Sequence, residues 1–356
     1  MKIASVARAL PPYQFTQQEI FEALARHWRD QLDNPELLAR FHHRVGVSTR
    51  YFVLPLDDYD NLTRWGDANR LWLEQAETLG EAAISCALKR AGMAREQIDA
   101  LLTVSVTGVA SPSLDAHLTN RMRLRPDIRR TPIFGLGCVA GAAGIAQAAD
   151  YVRAYPDRVA VLLSVELCSL TWQRGDLSVA NLIASGLFGD GAAAVVVAGD
   201  NVPDSTPQGS LGGVQIVDTA SSFYPDTEDA MGWDISEEGF KIVLSAEVPA
   251  IIRAHLPADV DGLLHRNGLS RSDVGSWVLH TGGPKVLDAM AESLGLDRTT
   301  CAASWDSLRE VGNLSSASVL LVLEEVMQNR RPAPGTWGVL AALGPGFCGQ
   351  LVLLRW

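Results

Sequence analysis

Apolar residues at Ile20, Phe21, Leu24 and Trp28 share one helical face, and Thr16 with Glu19 three positions on forms a capping box. The pattern predicts an amphipathic helix docked on a larger body. Further along, the runs ALLTVSVTG (100–108) and VAVLLSV (159–165) are almost continuously apolar and rich in β-branched residues, with helical segments between them. Such runs predict strands buried on both faces, in an α/β protein.

Laid against itself, the chain repeats. LKRAGMAREQIDALLTVSVTG (88–108) reads like LHRNGLSRSDVGSWVLHTGG (264–283), with Gly92 matching Gly268 at an offset of 176. Cys138 and Asn313 open glycine-, alanine- and serine-rich helical segments 175 positions apart, and Val161 and Val339 differ by 178. Two fused βαβ-type halves are expected, 1–205 and 206–356. Their equivalent helices would meet at the centre, which requires small residues. Ala140, Gly141, Ala142, Ala143, Gly144 and Ala146 on one side and Ser315, Ser316 and Ala317 on the other meet that demand, although glycine in a helix costs about 1 kcal/mol.

With 356 residues, 47% of them hydrophobic, the chain can bury a large core. A formal charge of −11 argues against general affinity for nucleic acid or an anionic membrane, because the long-range field repels both. Five widely spaced cysteines with no CxxC pair indicate neither a disulfide framework nor a zinc site, so a reducing, cytoplasmic compartment is expected. No leader-like segment or apolar run long enough to span a membrane is evident, and no metal or cofactor is called for.

Three residues suggest chemistry. Cys138 stands at the first turn of a buried helix, where free N–H groups and the helix dipole favour thiolate. His280 ends the strand SWVLH, at the carboxyl edge where α/β sites collect. Asn313 follows Gly312 and supplies a neutral donor. A thiol, an imidazole and a carboxamide without a carboxylate suit a thioester reaction, in which two N–H donors stabilise an oxyanion or enolate. A nicotinamide-binding reading of the GLG at 135–137 is weaker, since the spacing is GxGxxxG and no acid follows about 20 residues on.

FGLGCVAGAAG (134–144), LFGDGAAAVV (187–196), HTGGPKVLD (280–288), GNLSSA (312–317) and LGPGF (343–347) together resemble the type III polyketide synthases, the chalcone-synthase-like branch of the thiolase fold. The ketoacyl-carrier-protein synthase III enzymes share the three side-chain types and remain the alternative. The resemblance implies a layered αβαβα homodimer in which Cys138, His280 and Asn313 are catalytic. It implies an acyl-coenzyme A starter and malonyl-coenzyme A extenders, joined by decarboxylative condensation. Phe188 matches a gating phenylalanine, and Gly344, Pro345, Gly346 and Phe347 match a cyclisation loop. Arg44 and Arg50 match basic coenzyme A contacts, whereas Ser48 replaces a lysine. Thr171 matches a pocket threonine, Cys168 replaces another, Ile242 replaces a second phenylalanine and Trp233 a small glycine; Ser111 replaces a methionine that reaches across the dimer. The pattern is similar to bacterial alkylpyrone and alkylresorcinol synthases, which implies fatty acyl starters.

Overall fold

A computed structural model of the chain describes residues 1–29, 31–32, 35–203 and 212–356. The expected division at 205/206 lies outside the described residues. The front half comprises β1 (Lys2–Ala9), β2 (Tyr13–Thr16), α1 (Gln17–His27), α2 (Pro35–Arg44), β3 (Thr49–Phe52), α3 (Trp65–Ala91), β4 (Ala100–Val104), α4 (Leu114–Arg121), β5 (Arg129–Ile133), α5 (Ala140–Ala154), β6 (Val159–Leu167), α6 (Val179–Leu187) and β7 (Asp190–Ala198). The back half comprises β8 (Val214–Phe223), β9 (Met231–Ser236), β10 (Gly239–Leu244), α7 (Val248–Arg266), β11 (Val274–Leu279), α8 (Pro284–Leu294), α9 (Ala302–Val311), α10 (Ser318–Asn329), β12 (Trp337–Gly344) and β13 (Cys348–Arg355).

The predicted amphipathic helix is α1. Thr16 and Glu19 close the capping box reciprocally, at 2.7 Å (Thr16 N to Glu19 Oε2) and 3.2 Å (Glu19 N to Thr16 Oγ1), while Ile20, Leu24 and Trp28 are buried.

The duplication is visible strand by strand. β5, β4, β6, β7 and β1 follow one another across the front half, and β11, β12, β13 and β8 across the back. In both, an inner antiparallel trio is followed outward by a parallel neighbour, β4 beside β6 and β11 beside β12. Both long helices before these strands, α3 and α7, are followed by a left-handed glycine, Gly92 (φ 66°) and Gly268 (φ 71°). The halves are hydrogen-bonded into one nine-stranded sheet where Lys2 and Ile3 of β1 pair Gln215 and Val214 of β8.

Three apolar layers result, in the αβαβα thiolase-like arrangement. One packs α3 against the front strands, one packs α7 and α8 against the back strands, and between them α5 and α10 fill the centre. There the small residues are required. A Cβ on Gly141 would overlap the backbone oxygen of Ser316, and one on Gly144 would come within 2.5 Å of Leu162.

The offset of the central helices corrects one expectation. The short 3-10 turns Gly137–Val139 and Ser315–Ala317 precede α5 and α10 at a separation of 178, so the counterpart of Cys138 is Ser316, not Asn313. Asn313 lies two residues before the Ser315–Ala317 turn, outside the repeat's own helix.

Candidate active site

The turn that carries Cys138 is held from the far end of the chain. A Cβ on Gly137 (φ 55°) would lie 2.5 Å from Cδ of Pro345, and one on Gly344 would lie 2.6 Å from the backbone nitrogen of Val139. The expected cyclisation loop, Gly344 to Phe347, therefore rests directly on the cysteine turn. Only glycine on both sides permits that approach.

His280 extends β11, its N–H donating to Ala341 O at 3.0 Å across the parallel pair with β12. Its ring is buried, and neither Nδ1 nor Nε2 has a hydrogen-bond partner. Leaving two such atoms unpaired in a folded interior is costly, and the cost is explained if a reacting group completes the bonding.

Asn313 is fixed by its amide oxygen, which accepts from Ser315 N at 2.8 Å and Ser318 Oγ at 3.1 Å. Its Nδ2 group is the free end, and the residue lines the same cavity as Cys138 and His280. The backbone of Asn313 bridges the halves: its N–H donates to Leu187 O and its carbonyl accepts from Gly189 N, both at 3.0 Å, so Phe188 is its parallel neighbour. A sulfur and an aromatic ring from the front half thus share one cavity with an imidazole and a carboxamide from the back half.

Burial sets the protonation states. It pushes the Cys138 thiol up to about 12, with Glu166 adding to the effect and a hydrogen bond to Ser315 opposing it. The same desolvation lowers His280 to about 4, so the ring is neutral at pH 7. Both shifts run against the thiolate expected from the helix dipole. Cys138 Sγ instead donates to Ser315 Oγ at 3.6 Å. Attack by the sulfur on a carbonyl would need this proton removed, and the neutral His280 ring in the same cavity has a nitrogen able to accept one. Iodoacetamide labelling of Cys138 is accordingly expected to quicken about tenfold per pH unit from pH 7 to 9; a plateau near pH 7 would show a preformed ion pair.

Ser315 and Glu166 were not singled out from sequence as parts of the site. Ser315 sits at φ 45°, uncommon for a residue with a side chain, and contacts both Cys138 and Asn313. Glu166, fully buried, accepts from Val106 N and Thr107 Oγ1 at 3.0 Å and from Ser316 Oγ; burial raises it to about 6. The GNLSSA motif contains Ser315, but only the fold shows that its hydroxyl reaches the front-half cysteine.

The cavity is small and apolar. Its free volume is about 50 Å³, room for a water or two, and Leu187, Met231, Val248 and Phe347 join the residues already named. β9 and β10 form a hairpin over it in which Trp233 stands opposite Ile242, so both side chains share one face. Together with Phe188 they wall off a second void of about 10 Å³ that Cys168 and Thr171 line with Phe240. Beyond Thr171 and Phe240 lies an open cleft of about 530 Å³. The expected pocket residues therefore divide: Trp233, Ile242 and Phe188 touch the Cys138 cavity, while Cys168 and Thr171 lie behind them.

The basic segment divides too. Arg44, on the last turn of α2, is exposed. Arg50 is fully buried, with Nη1 donating to Ser185 O at 2.8 Å and Phe188 O at 2.7 Å and Nη2 to Gln17 Oε1 at 3.0 Å. It cannot reach a phosphate in solvent, so its expected coenzyme A contact is corrected to an internal one. Among the described residues no His, Cys, Asp and Glu cluster is placed to hold a metal, and no helix is long and apolar enough to cross a membrane.

Residues 2–201 match the family model for chalcone and stilbene synthases, N-terminal domain, and residues 215–356 match that for the C-terminal domain. The chain is 49% identical over 354 residues to a 1,3,6,8-tetrahydroxynaphthalene synthase of Streptomyces peucetius subsp. caesius, covering 99% of this chain and 93% of that one. It is 33% identical to a putative chalcone synthase of Bacillus subtilis (strain 168), covering 99% and 98%. Among solved structures, the 1,3,6,8-tetrahydroxynaphthalene synthase of Streptomyces coelicolor A3(2), a bacterial type III polyketide synthase, superposes with a TM-score of 0.92 at 33% identity, covering 100% of this chain and 99% of that one.

Proposed function

The chain belongs to the chalcone and stilbene synthase family, the acyl-transferring type III polyketide synthases, and from that premise we propose that Cys138, His280 and Asn313 condense malonyl-coenzyme A units into a polyhydroxylated aromatic product. The observation that carries this reading is the meeting of those three side chains in one apolar cavity, with both imidazole nitrogens unpaired.

In the proposed cycle the Cys138 sulfur attacks the thioester carbonyl of the first acyl group as its proton passes to Nε2 or Nδ1 of His280. The tetrahedral oxyanion collapses, coenzyme A leaves with a proton, and the acyl group stays on sulfur. A malonyl thioester then loses carbon dioxide, and the enolate oxygen accepts from Asn313 Nδ2–H and the His280 N–H. The apolar wall favours this step, since it leaves the departing carboxylate poorly solvated. The enolate carbon attacks the Cys138-bound carbonyl and the C–S bond breaks, leaving the lengthened chain as its coenzyme A thioester and the sulfur as thiolate. That sulfur attacks the new thioester carbonyl, coenzyme A leaves and takes up a proton from solvent, and the chain is again on Cys138 for the next round. The Gly344–Phe347 loop, resting on the cysteine turn, would shape the folding of the finished chain before ring closure.

A naphthalene skeleton is assembled from acetate units alone and carries no tail, so it asks less widening of the space bounded by Trp233, Ile242 and Phe188 than a fatty chain does. The alkylpyrone or alkylresorcinol reading needs room for a fatty chain. One feature supports it: the void beside Cys168 and Thr171 and the larger cleft share Thr171, Trp172 and Phe240 as lining beyond that wall. Arg44, exposed, is the remaining candidate of the basic pair for a coenzyme A phosphate, and two copies are expected to associate.

Mass spectrometry of products from malonyl-coenzyme A, alone and with fatty acyl-coenzyme A, tests these assignments. Aromatic product from malonyl-coenzyme A alone, without a carrier protein, is the expected result; a strict need for carrier protein would move the chain toward the ketoacyl synthase alternative. Trp233→Gly is expected to admit fatty starters and raise alkylpyrone yield at least about tenfold, since it removes a whole indole where a single methylene already shifts selectivity about 10- to 200-fold. An unchanged product profile would show that Trp233 does not limit the cavity.

A further inference from the structure

A buried guanidinium stands directly behind the gate. Arg50 begins no ion pair at the surface; its Nη1 takes the carbonyls of Ser185 and Phe188, which are among those that α6 leaves without partners at its carboxyl end. Its stem lies against the crossing of the two halves. A Cβ on Gly312 would meet Arg50 Cγ and Cδ at 3.1 Å, and one on Gly189 would meet Arg50 Cβ and Cγ at 3.5 Å. Those two glycines flank the Phe188–Asn313 bridge.

Gln17 closes the arrangement from outside, accepting from Nη2 while its own amide donates to His42 O at 3.1 Å and Gly186 O at 2.9 Å. His42 in turn lies 3.2 Å from Ser185 Oγ. The turn after α6 therefore has every available carbonyl between Ser185 and Phe188 spoken for: Ser185 and Phe188 by Arg50, Gly186 by Gln17 and Leu187 by Asn313. Nη1 holds two carbonyls while Nη2 reaches Gln17 in the same plane, a fixed fork that the compact ammonium of lysine does not reproduce.

We infer that Arg50 is a positioning residue for condensation: by pinning the backbone of Phe188 it sets the place of the Phe188 ring and, through the backbone bridge, of the Asn313 amide relative to Cys138. The assignment rests on the reading of Asn313 as an enolate donor. The acyl carbonyl and the enolate carbon must be held about 3–3.5 Å apart with their orbitals aligned, a stricter demand than decarboxylation makes on the donors. Loosening the turn therefore separates the two steps.

The test compares wild-type protein with Arg50→Lys and Gln17→Ala, using malonyl-coenzyme A and scoring acetyl-coenzyme A and cyclised product in the same reaction. In Arg50→Lys, kcat for product is expected to fall about 10- to 100-fold, the cost of a misplacement near 1 Å, with KM for malonyl-coenzyme A nearly unchanged and the ratio of acetyl-coenzyme A to product raised several-fold. Gln17→Ala should show the same split at smaller amplitude, and amide exchange at Gly189 and Asn313 should quicken in both. A raised KM with kcat intact would mean a phosphate contact and overturn the inference. If Arg50→Lys does not fold, Gln17→Ala decides, and an unchanged product ratio with unchanged amide exchange overturns it. Wild-type protein that forms neither acetyl-coenzyme A nor product would instead remove the functional reading itself, before any variant is compared.

Discussion

Cys138→Ala is expected to lower product formation by at least about 10³-fold while leaving decarboxylation of malonyl-coenzyme A measurable, because the two steps draw on different atoms. Acyl transfer needs the sulfur. In the proposed cycle the enolate needs only N–H donors, from His280 and Asn313, and neither side chain is hydrogen-bonded to the thiol itself. Asn313→Ala should lose both activities, by about 10²- to 10³-fold, the usual effect of removing one preorganised donor. Coenzyme A release and acetyl-coenzyme A formation, followed together, separate the variants. Product formation by Cys138→Ala at the wild-type rate would place the nucleophile elsewhere. The fold should tolerate the change, since the thiol makes a single long hydrogen bond, 3.6 Å to Ser315.

The second large effect is on stability and reverses an ordinary rule. Gly→Ala in a helix interior stabilises by about 1 kcal/mol when nothing opposes the new methyl group. Gly262, in α7, has no atom within 4 Å of a built Cβ, so Gly262→Ala is expected to raise the melting temperature slightly. At Gly141 the Cβ would fall on the backbone oxygen of Ser316, which cannot rotate aside as a side chain can. Gly141→Ala is therefore expected to cost about 3 kcal/mol or more, at the upper end of overpacking effects, and Gly141→Val to leave little folded protein against a net stability of about 5–15 kcal/mol. Urea midpoints compare the three. A stabilised Gly141→Ala would mean that α5 and the turn before α10 do not touch as described.

Both outcomes bear on how much was legible beforehand. The bare helix after Cys138 announced close backbone approach, because no other arrangement uses so many small residues in a buried segment, and α5 against the Ser315–Ala317 turn is that approach. The repeat announced two similar halves, since Gly92 and Gly268 end equivalent helices in the left-handed region that glycine alone enters freely. The offset was less exact. Matching Cys138 to Asn313 rested on each preceding a small-residue helix, whereas the turns themselves set Ser316 as the counterpart. Arg50 looked like a phosphate contact because charge in a chain is read as surface until burial is known; the fold places it where four carbonyls needed donors, of which it satisfies two while Gln17 and Asn313 satisfy one each.

By itself the sequence determined what is local or periodic: the capped helix at Thr16, the apolar strands, the two-fold plan, the family, and the residue types able to carry thioester chemistry. These follow from spacing and side-chain chemistry, which neighbours along the chain already display. Tertiary structure alone decided what depends on groups far apart in sequence meeting in a dry interior. There, the loss of water raises the Cys138 thiol and lowers His280, Ser315 becomes the partner of the sulfur, Trp233 and Ile242 close the cavity, and Arg50 turns inward. Desolvation and contact are properties of a place rather than of a residue, and the place exists only once the halves have packed.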